Sequence, residues 1–403
     1  MIRATRTQWI KFAVVLALYL IFLVWLRSWL GLVVVPFIFD AYITKKIPWT
    51  WWRESKNRHV VTVMGWVDAI VFALVAVYFV NLYFFQNYVI PSSSLEKSLL
   101  TGDYLFVSKM SYGPRVPQTP LHMPLAQHTL PFFNCKSYLE HPQWDYKRVK
   151  GLGDVQLNDI VVFNFPAGDT VATGVPNDDI YRLSYGAGKE LAKPVDLASM
   201  TPEQQRVVYD YYYQLGREYL KENLQNFGEI ISRPVDRREN YVKRCVGLPG
   251  QTLEIKDRII YLDGKANKEP DNVQYRYLVK TKRPIPDDLA HELGISKEDM
   301  MMYYTDASVY NMPLTEKAKA GLLARKDIVV SIENTPADDA GGLYPLNMYK
   351  NWTTDNYGPV WIPKKGETVK LTIENLPVYE RPIHVYEGNE LAVKDGKLSL
   401  IHI

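Results

Sequence analysis

Cysteine and histidine are scarce in this chain of 403 residues, which holds two cysteines, Cys135 and Cys245, and seven scattered histidines. The cysteines stand in no C-x-x-C spacing and beside no histidine cluster, so nothing signals a zinc centre. One long-range disulfide would need two unrelated segments to meet; the plainer expectation is two free, buried thiols. Net charge is small as well. Lys+Arg 47 against Asp+Glu 44 leaves +3, which gives no global electrostatic case for nucleic acid as a partner. H-E-x-x-H, G-x-S-x-G, the Walker A loop and G-x-G-x-x-G are all missing, and with them the common zinc-protease, hydrolase and nucleotide-binding readings. No internal repeat or low-complexity stretch is present, and no metal or cofactor is called for.

Long apolar runs, by contrast, dominate the first ninety residues, so the slightly negative mean hydropathy of −0.18 describes neither half of the chain. Phe12 to Leu26 is uninterrupted apolar sequence, broken by Arg27. A second run extends from about Val60 to Phe85, with Asp68 near its start and Asn81 near its end. About 20 apolar residues suffice to cross a bilayer, so both are expected to span. The first is too long for a cleavable signal peptide and no small-residue cleavage site follows it; it is expected to remain as an anchor. Between the runs lie Lys45, Lys46, Arg53, Lys56 and Arg58 against Glu54, with Trp49, Trp51 and Trp52. That composition marks a cytoplasmic, interfacial loop, which puts everything after Ile90 outside the cytoplasm. Arg3, Arg6 and Lys11 also favour the cytoplasm. Either Trp29 to Ile43 makes a short return pass or those N-terminal charges are outvoted; Pro36 and Asp40 make it a poor span and favour the second option.

The polar remainder reads as short strands punctuated by Gly, Pro and Asp turns: Tyr104–Val107, Ile160–Phe163, Tyr241–Val242, Leu253–Ile255, Ile259–Leu262 and Val369–Ile373. One helix stands out. Thr201, Pro202 and Gln204 supply a cap, a first-turn proline and a capping-box partner, predicting a helix over about 202–224. Its Tyr209, Tyr212, Tyr213 and Tyr219 are expected to pack against the sheet.

Chemistry is concentrated in Pro91-Ser92-Ser93-Ser94, immediately behind the second apolar run. A serine nucleophile without a positioned histidine needs another base, and a lysine serves if its ammonium is made easy to deprotonate. Lowering a lysine pKa by about 2 to 3 requires burial costing roughly 3 to 4 kcal/mol. Lys243, among Tyr241, Val242 and Cys245 and before Pro249-Gly250, is a candidate. Alternation puts Lys243 and Cys245 on one face and Val242 and Arg244 on the other. Taken alone, a Lys-Arg pair on a strand is usually a solvated edge charge.

The combination resembles a family. Pro91-Ser92-x-Ser94, Leu99-Leu100-x-Gly102-Asp103, Phe106-Val107-x-Lys109-x-x-Tyr112-Gly113, Asp159-Ile160-Val161-Val162-Phe163-x-x-Pro166 and Tyr241-Val242-Lys243-Arg244-x-x-Gly247-x-Pro249-Gly250 stand in the order of the type I signal peptidases, or leader peptidases, behind a matching anchor. The resemblance implies a membrane-anchored, mainly β protein: N-terminal transmembrane helices, then an extracytoplasmic antiparallel β domain with inserted α/β segments. It implies a bacterial inner-membrane serine endopeptidase, active on the periplasmic side, that removes signal peptides after Ala-x-Ala-like sites. Ser94 would attack, Lys243 would take its proton, and the Ser94 backbone N–H with the Ser92 hydroxyl would form the oxyanion hole. Ser93 would be structural. Ile90, Leu95 and Val161 are candidates for shallow substrate pockets. The implied partners are signal-peptide-bearing precursors and the lipid bilayer. Ser98 stands for a family Thr, Leu95 for a Met, Lys97 for a Pro, Gln251 for an Asp and Asn158 for a Gly.

The expected organisation is a first anchor region over 1–43, a basic loop over 44–59, a second transmembrane helix over 60–87, catalytic β segments over 88–166 and 240–266, and insertions over 167–239 and 267–397. The family's C-terminal Gly-Asp-Asn-Arg-x-x-Ser-x-Asp-Ser stretch, which steadies the base, has no counterpart here. Asn351-Trp352-Thr353 fits a glycosylation pattern that says nothing in a bacterial protein. Residues 398–403 match the translation of a sequencing adapter, so the reading frame is expected to be truncated, with Leu398–Ile401 as a genuine final strand the alternative. A chain without that support is expected to be weakly active or inactive. The rival readings are a non-catalytic, membrane-anchored β domain that binds envelope proteins, and insertions that act as a separate peptide-binding or scaffold module.

Overall fold

The computed structural model describes residues 4–133, 135–166, 168, 170–302, 304–306, 308–336, 343–346, 352–394 and 397–401. The chain divides into two compact units, one of Met1–Val89 with Tyr104–Val155 and the other of Ile90–Asp103 with Gln156–Ile403.

The first unit is built on two helices long and apolar enough to cross a membrane, α1 (Arg6–Leu26) and α2 (Arg58–Tyr83). Thr5 and Gln8 close a capping box at the start of α1, and Asn57 caps α2, answering backbone N–H groups that have no partner inside a helix. Between them, Leu30–Thr44 forms a short apolar helix that returns along α1. Tyr19 donates to the Gly31 carbonyl at 2.7 Å, and the Phe39 ring lies 5.4 Å from Phe12 and 6.3 Å from Trp9. Gly31 sits close against α1: a Cβ there would lie 2.2 Å from Leu23 Cδ2 and would require that side chain to shift. The Asp40 carboxylate, which counted against a return leg in the sequence, accepts bonds from Thr44 Oγ1, the Lys46 and Ile47 N–H groups and Trp49 Nε1. Phe22 packs on Phe79 and Tyr83, so α1 and α2 end side by side. Beyond α2, β1 (Phe85–Val89) pairs antiparallel with β2 (Tyr104–Ser108).

In the second unit, β3 (Ile160–Asn164) pairs antiparallel with a strand at Asn240–Arg244, in the register Val161 opposite Lys243. Between these strands the first inserted segment folds as two helices, α3 (Ile180–Leu191) and α4 (Pro202–Glu222). The Thr201/Gln204 capping box starts α4. The tyrosines of α4 pack on α3 rather than on a sheet: Tyr209 stacks on Tyr185 at 5.2 Å and Tyr213 on Tyr181 at 5.6 Å. Gly188 and Gly216 make the crossing possible, since a Cβ on either would lie 1.7 Å from a carbonyl oxygen of the other helix.

With Asn240–Arg244 as β4, the chain continues into β5 (Thr252–Lys256) and β6 (Ile259–Leu262), turns at Asp263-Gly264, both with positive φ, as a type I′ hairpin requires, and adds Lys265–Ala266. The following residues up to 336 form a module with its own core: β7 (Gln274–Thr281), helices α5 (Asp287–Glu292) and α6 (Lys297–Met302), β8 (Val309–Thr315), α7 (Glu316–Ala324) and β9 (Val329–Asn334). Its sheet has the order Tyr304–Asp306, β8, β7, β9. Val279, Met312, Leu314, Leu322 and Ile328 are fully buried in its core, each contributing about 1.5–3 kcal/mol by leaving water.

The stretch expected to be one insertion through Lys397 is therefore not one body. A strand at Tyr357–Trp361, β10, returns to pair with β5, and Leu376–Tyr386 reaches the first inserted helices through Arg206–Glu380 and Arg381–Asp179 ion pairs. Val369–Ile373 is not a strand. Reciprocal bonds between Thr372 and Asn375, with Asn375 Nδ2 donating to the Lys370 carbonyl, satisfy the backbone locally and turn it into the helix at Leu376–Arg381. Lys397–Ile401 pairs with Glu390–Lys394. Asn351 lies outside the described residues.

Candidate active site

The serine-bearing loop is closed at its base. Ile90 N–H donates to the Asp103 carbonyl at 3.0 Å, Gly102 N–H to the Ile90 carbonyl at 2.9 Å, and the Asp103 carboxylate accepts from Leu100 N–H at 2.8 Å. Gly102 sits at φ 94°, a conformation that glycine adopts without steric cost. Buried Ile90 and Leu95, 3% and 8% exposed, fix the loop, and a single 3-10 turn over Ser93–Leu95 presents Ser94. Lys243, on β4, places Nζ 2.6 Å from Ser94 Oγ, donating to it. Its neighbour Arg244 also holds the loop: Nη2 donates to Ser98 Oγ at 2.8 Å and Nη1 to the Asn158 carbonyl at 2.9 Å.

Other sequence-predicted residues are placed differently from expectation. Lys243 is exposed, not buried, because β3 and β4 form a two-stranded ribbon with its side chain on the open face. Among the described residues Ser94 alone hydrogen-bonds its amine. Both serines proposed for the oxyanion hole are exposed. Ser92 is extended, at φ −146° and ψ 155°. A cleft of about 450 Å³ adjoins the pair and is lined on the loop side by Ser93, Ser94, Leu95, Glu96 and Ser98. Leu95 and Ser93 line it, whereas Ser92, Ile90 and Val161 do not. Both cysteines are free, Cys135 exposed and Cys245 partly buried, so the expectation that both are buried fails at Cys135. Among the described residues no group of three or more His, Cys, Asp or Glu could hold a metal ion.

The opposite wall of the cleft was not foreseen. It comes from the module after β6: Pro270, Asn272, Val273, Gln274, Arg276, Asp299 and Pro313. Lys97 Nζ bonds the Gly294 carbonyl of the same module, tying the serine loop to it. Glu96 is pushed above the usual carboxylate range by burial first and then by Asp299 and Glu298, with Lys97 opposing. No sequence motif marks these residues, since the contacts join segments about 200 positions apart.

Two of the family substitutions read from sequence have local explanations. Asn158 has φ 70°, a left-handed conformation that Gly takes freely and Asn tolerates. Gln251 Oε1 accepts from Leu248 N–H at 2.9 Å, closing the turn after Pro249.

The described residues thus hold a serine hydroxyl against a lysine amine on an antiparallel β scaffold, in a chain with two long apolar helices. Residues 63–302 match the family model described as signal peptidase, peptidase S26, and the chain belongs to this family as a type I signal peptidase. Signal peptidase I of Helicobacter pylori is 42% identical over 56 residues, 14% of this chain and 18% of that protein. Signal peptidase I P of Bacillus subtilis subsp. natto is 20% identical over 279 residues, 68% of this chain and 90% of that protein. Signal peptidase I of Aquifex aeolicus is 25% identical over 171 residues, 42% and 54% of the two chains. The matched part of the chain thus spans under a fifth of the first relative, nine-tenths of the second and about half of the third. No solved structure matches the chain at a comparable level.

Proposed function

We propose that this chain is a membrane-anchored serine endopeptidase that removes signal peptides from exported precursors after Ala-x-Ala-like sites, with Ser94 as nucleophile and Lys243 as general base. The observation that carries this reading is the 2.6 Å approach of Lys243 Nζ to Ser94 Oγ, made by residues 149 positions apart. A neutral Lys243 takes the Ser94 proton as Oγ attacks the scissile carbonyl, then gives it to the leaving amine; the acyl-enzyme is cleared by water activated by the same amine. The Ser94 N–H and the Ser92 hydroxyl are the oxyanion donors in this scheme; Ser92 must turn toward the cleft to serve.

Anchoring is supported by the apolar surfaces of α1 and α2. With Leu30–Thr44 as a return leg, Arg6 and Lys11 lie on the same side as the basic loop after Thr44, in keeping with the charge rule for cytoplasmic segments. The catalytic residues then belong on the far, periplasmic side of a bacterial inner membrane.

Weak activity follows from a base that has Ser94 as its single side-chain hydrogen-bond partner among the described residues. Purified protein in detergent, given an Ala-x-Ala precursor, should yield a mature chain beginning directly after the second Ala, at a rate well below that of signal peptidase I of Aquifex aeolicus assayed in parallel. A comparable rate would refute weak activity, and cleavage at an unrelated position would refute the specificity. A biological effect unchanged by Ser94→Ala and Lys243→Ala would instead favour a non-catalytic binding role.

A further inference from the structure

The cleft beside Ser94 has an acidic corner that the proteolytic scheme does not use. Glu96 comes from the serine loop and Asp299 from α6 of the following module, and both line the cleft. Asp299 is 4% exposed, and its Oδ2 is buried without a hydrogen-bond partner. A buried carboxylate oxygen in that condition is costly, and a protein ordinarily offsets it with a cation or a donor. The charges acting on Glu96 are Asp299 and Glu298 against Lys97. Lys97 is already bonded to the Gly294 carbonyl, and Arg244, the cation nearest in sequence to Lys243, is committed to Ser98 and Asn158. Arg276 also lines the cleft but is not among the charges that act on Glu96. The cation that acts on Glu96, Lys97, is thus already bonded to a carbonyl, and Asp299 Oδ2 is left without a donor. A bound metal ion is a poor answer, since two carboxylates fall short of the six to eight oxygens Ca²⁺ takes, and Mg²⁺ depends on substrate phosphates. A polypeptide, however, brings cations of its own.

Resting on the proteolytic reading above, we propose that Glu96 and Asp299 form a subsite for a basic side chain of the precursor, a Lys or Arg within a few residues of the scissile bond, so that the module after β6 contributes to substrate choice. The two carboxylates accept from the ammonium or guanidinium, and a hydrogen bond to a charged group in a partly enclosed site is strong enough to change selectivity by about tenfold.

The test is a peptide series around one Ala-x-Ala site, with Lys, Met or Glu placed in turn at each flanking position. For each position the ratio of kcat/KM for Lys over Met is measured in wild type, Glu96→Gln and Asp299→Asn. At one position wild type should favour Lys about tenfold and disfavour Glu, and both variants should bring the Lys/Met ratio close to one. Because the ratio is taken within each variant, a general loss of activity cancels. If Asp299→Asn unfolds, the ratio in Glu96→Gln decides. Binding of the same peptides to Ser94→Ala provides a second readout that needs no cleavage: tighter Lys binding without turnover by wild type would sink the proteolytic reading and keep the subsite. A Lys/Met ratio near one at every position, in both cleavage and binding, or a Lys preference untouched by either variant, would overturn the subsite.

Discussion

Lys243 and Arg244 are adjacent on one strand and perform different tasks because a strand sends successive side chains to opposite faces. Lys243 meets Ser94, whereas Arg244 bridges Ser98 and the Asn158 carbonyl and so fixes the loop that carries Ser94. Arg244→Ala should lower kcat/KM by about tenfold, the worth of hydrogen bonds to a charged donor, chiefly through kcat. Arg244→Lys should recover part of it, since one ammonium cannot span both acceptors. Steady-state kinetics on one precursor checks this, and unchanged kinetics would remove Arg244 from the site. Lys109 offers a separate test of the first unit. Burial, then Arg115 and Arg148, pull it from 10.5 down to about 8, so between those values the unfolded chain binds more protons than the folded one. Its cost is fully present below about pH 8 and disappears as pH rises through 10.5, so stability should rise with pH in that window by roughly 3 kcal/mol at most. Lys109→Met should abolish that rise in melting experiments across the window and raise the melting temperature at pH 7.

The crossing of α3 and α4 permits a sharp comparison at the scale of elements. A Cβ at Gly188 would meet the Tyr212 carbonyl at 1.7 Å, while one at Gly186, two residues earlier in α3, meets nothing within 4 Å. Gly186→Ala should therefore stabilise by about 0.5–1 kcal/mol through helix propensity, and Gly188→Ala should destabilise by about 1–3 kcal/mol or more by forcing the helices apart. Thermal denaturation of the two variants, with opposite signs, is the check. The same elements show what sequence can convey. The capped start of α4 was legible because a capping box is a local code, whereas α3 went unseen: Gly186 and Gly188 obscure its pattern, although they are what lets α4 lie against it. The strand expected at Val369–Ile373 had the right alternation, but Thr372 and Asn375 turned the backbone back on itself.

Over the whole second unit, local and distant information separate clearly. The strand carrying Lys243 and the loop carrying Ser94 could be read in sequence because each is a contiguous motif. The exposure of Lys243 could not, since it depends on what covers β4. Nor could the far wall of the cleft, which is assembled from residues 270–313. The module that supplies this wall has a closed core of its own, from Tyr277 to Val329. Expressed alone as residues 270–336, it should fold cooperatively with a stability no greater than about 3–5 kcal/mol, the usual range for a single core of that size. Denaturant unfolding followed by two probes with coincident transitions would show it; a gradual, probe-dependent transition would show that the module relies on the rest of the unit.

The central claim, that Ser94 and Lys243 together cut precursors, is tested most directly by single-turnover processing of one Ala-x-Ala precursor by wild type, Ser94→Ala and Lys243→Ala in parallel. Wild type should release the mature chain, slowly, and each variant should fall by at least about a hundredfold, the contribution expected of a nucleophile or a general base. Processing by either variant at the wild-type rate would contradict it.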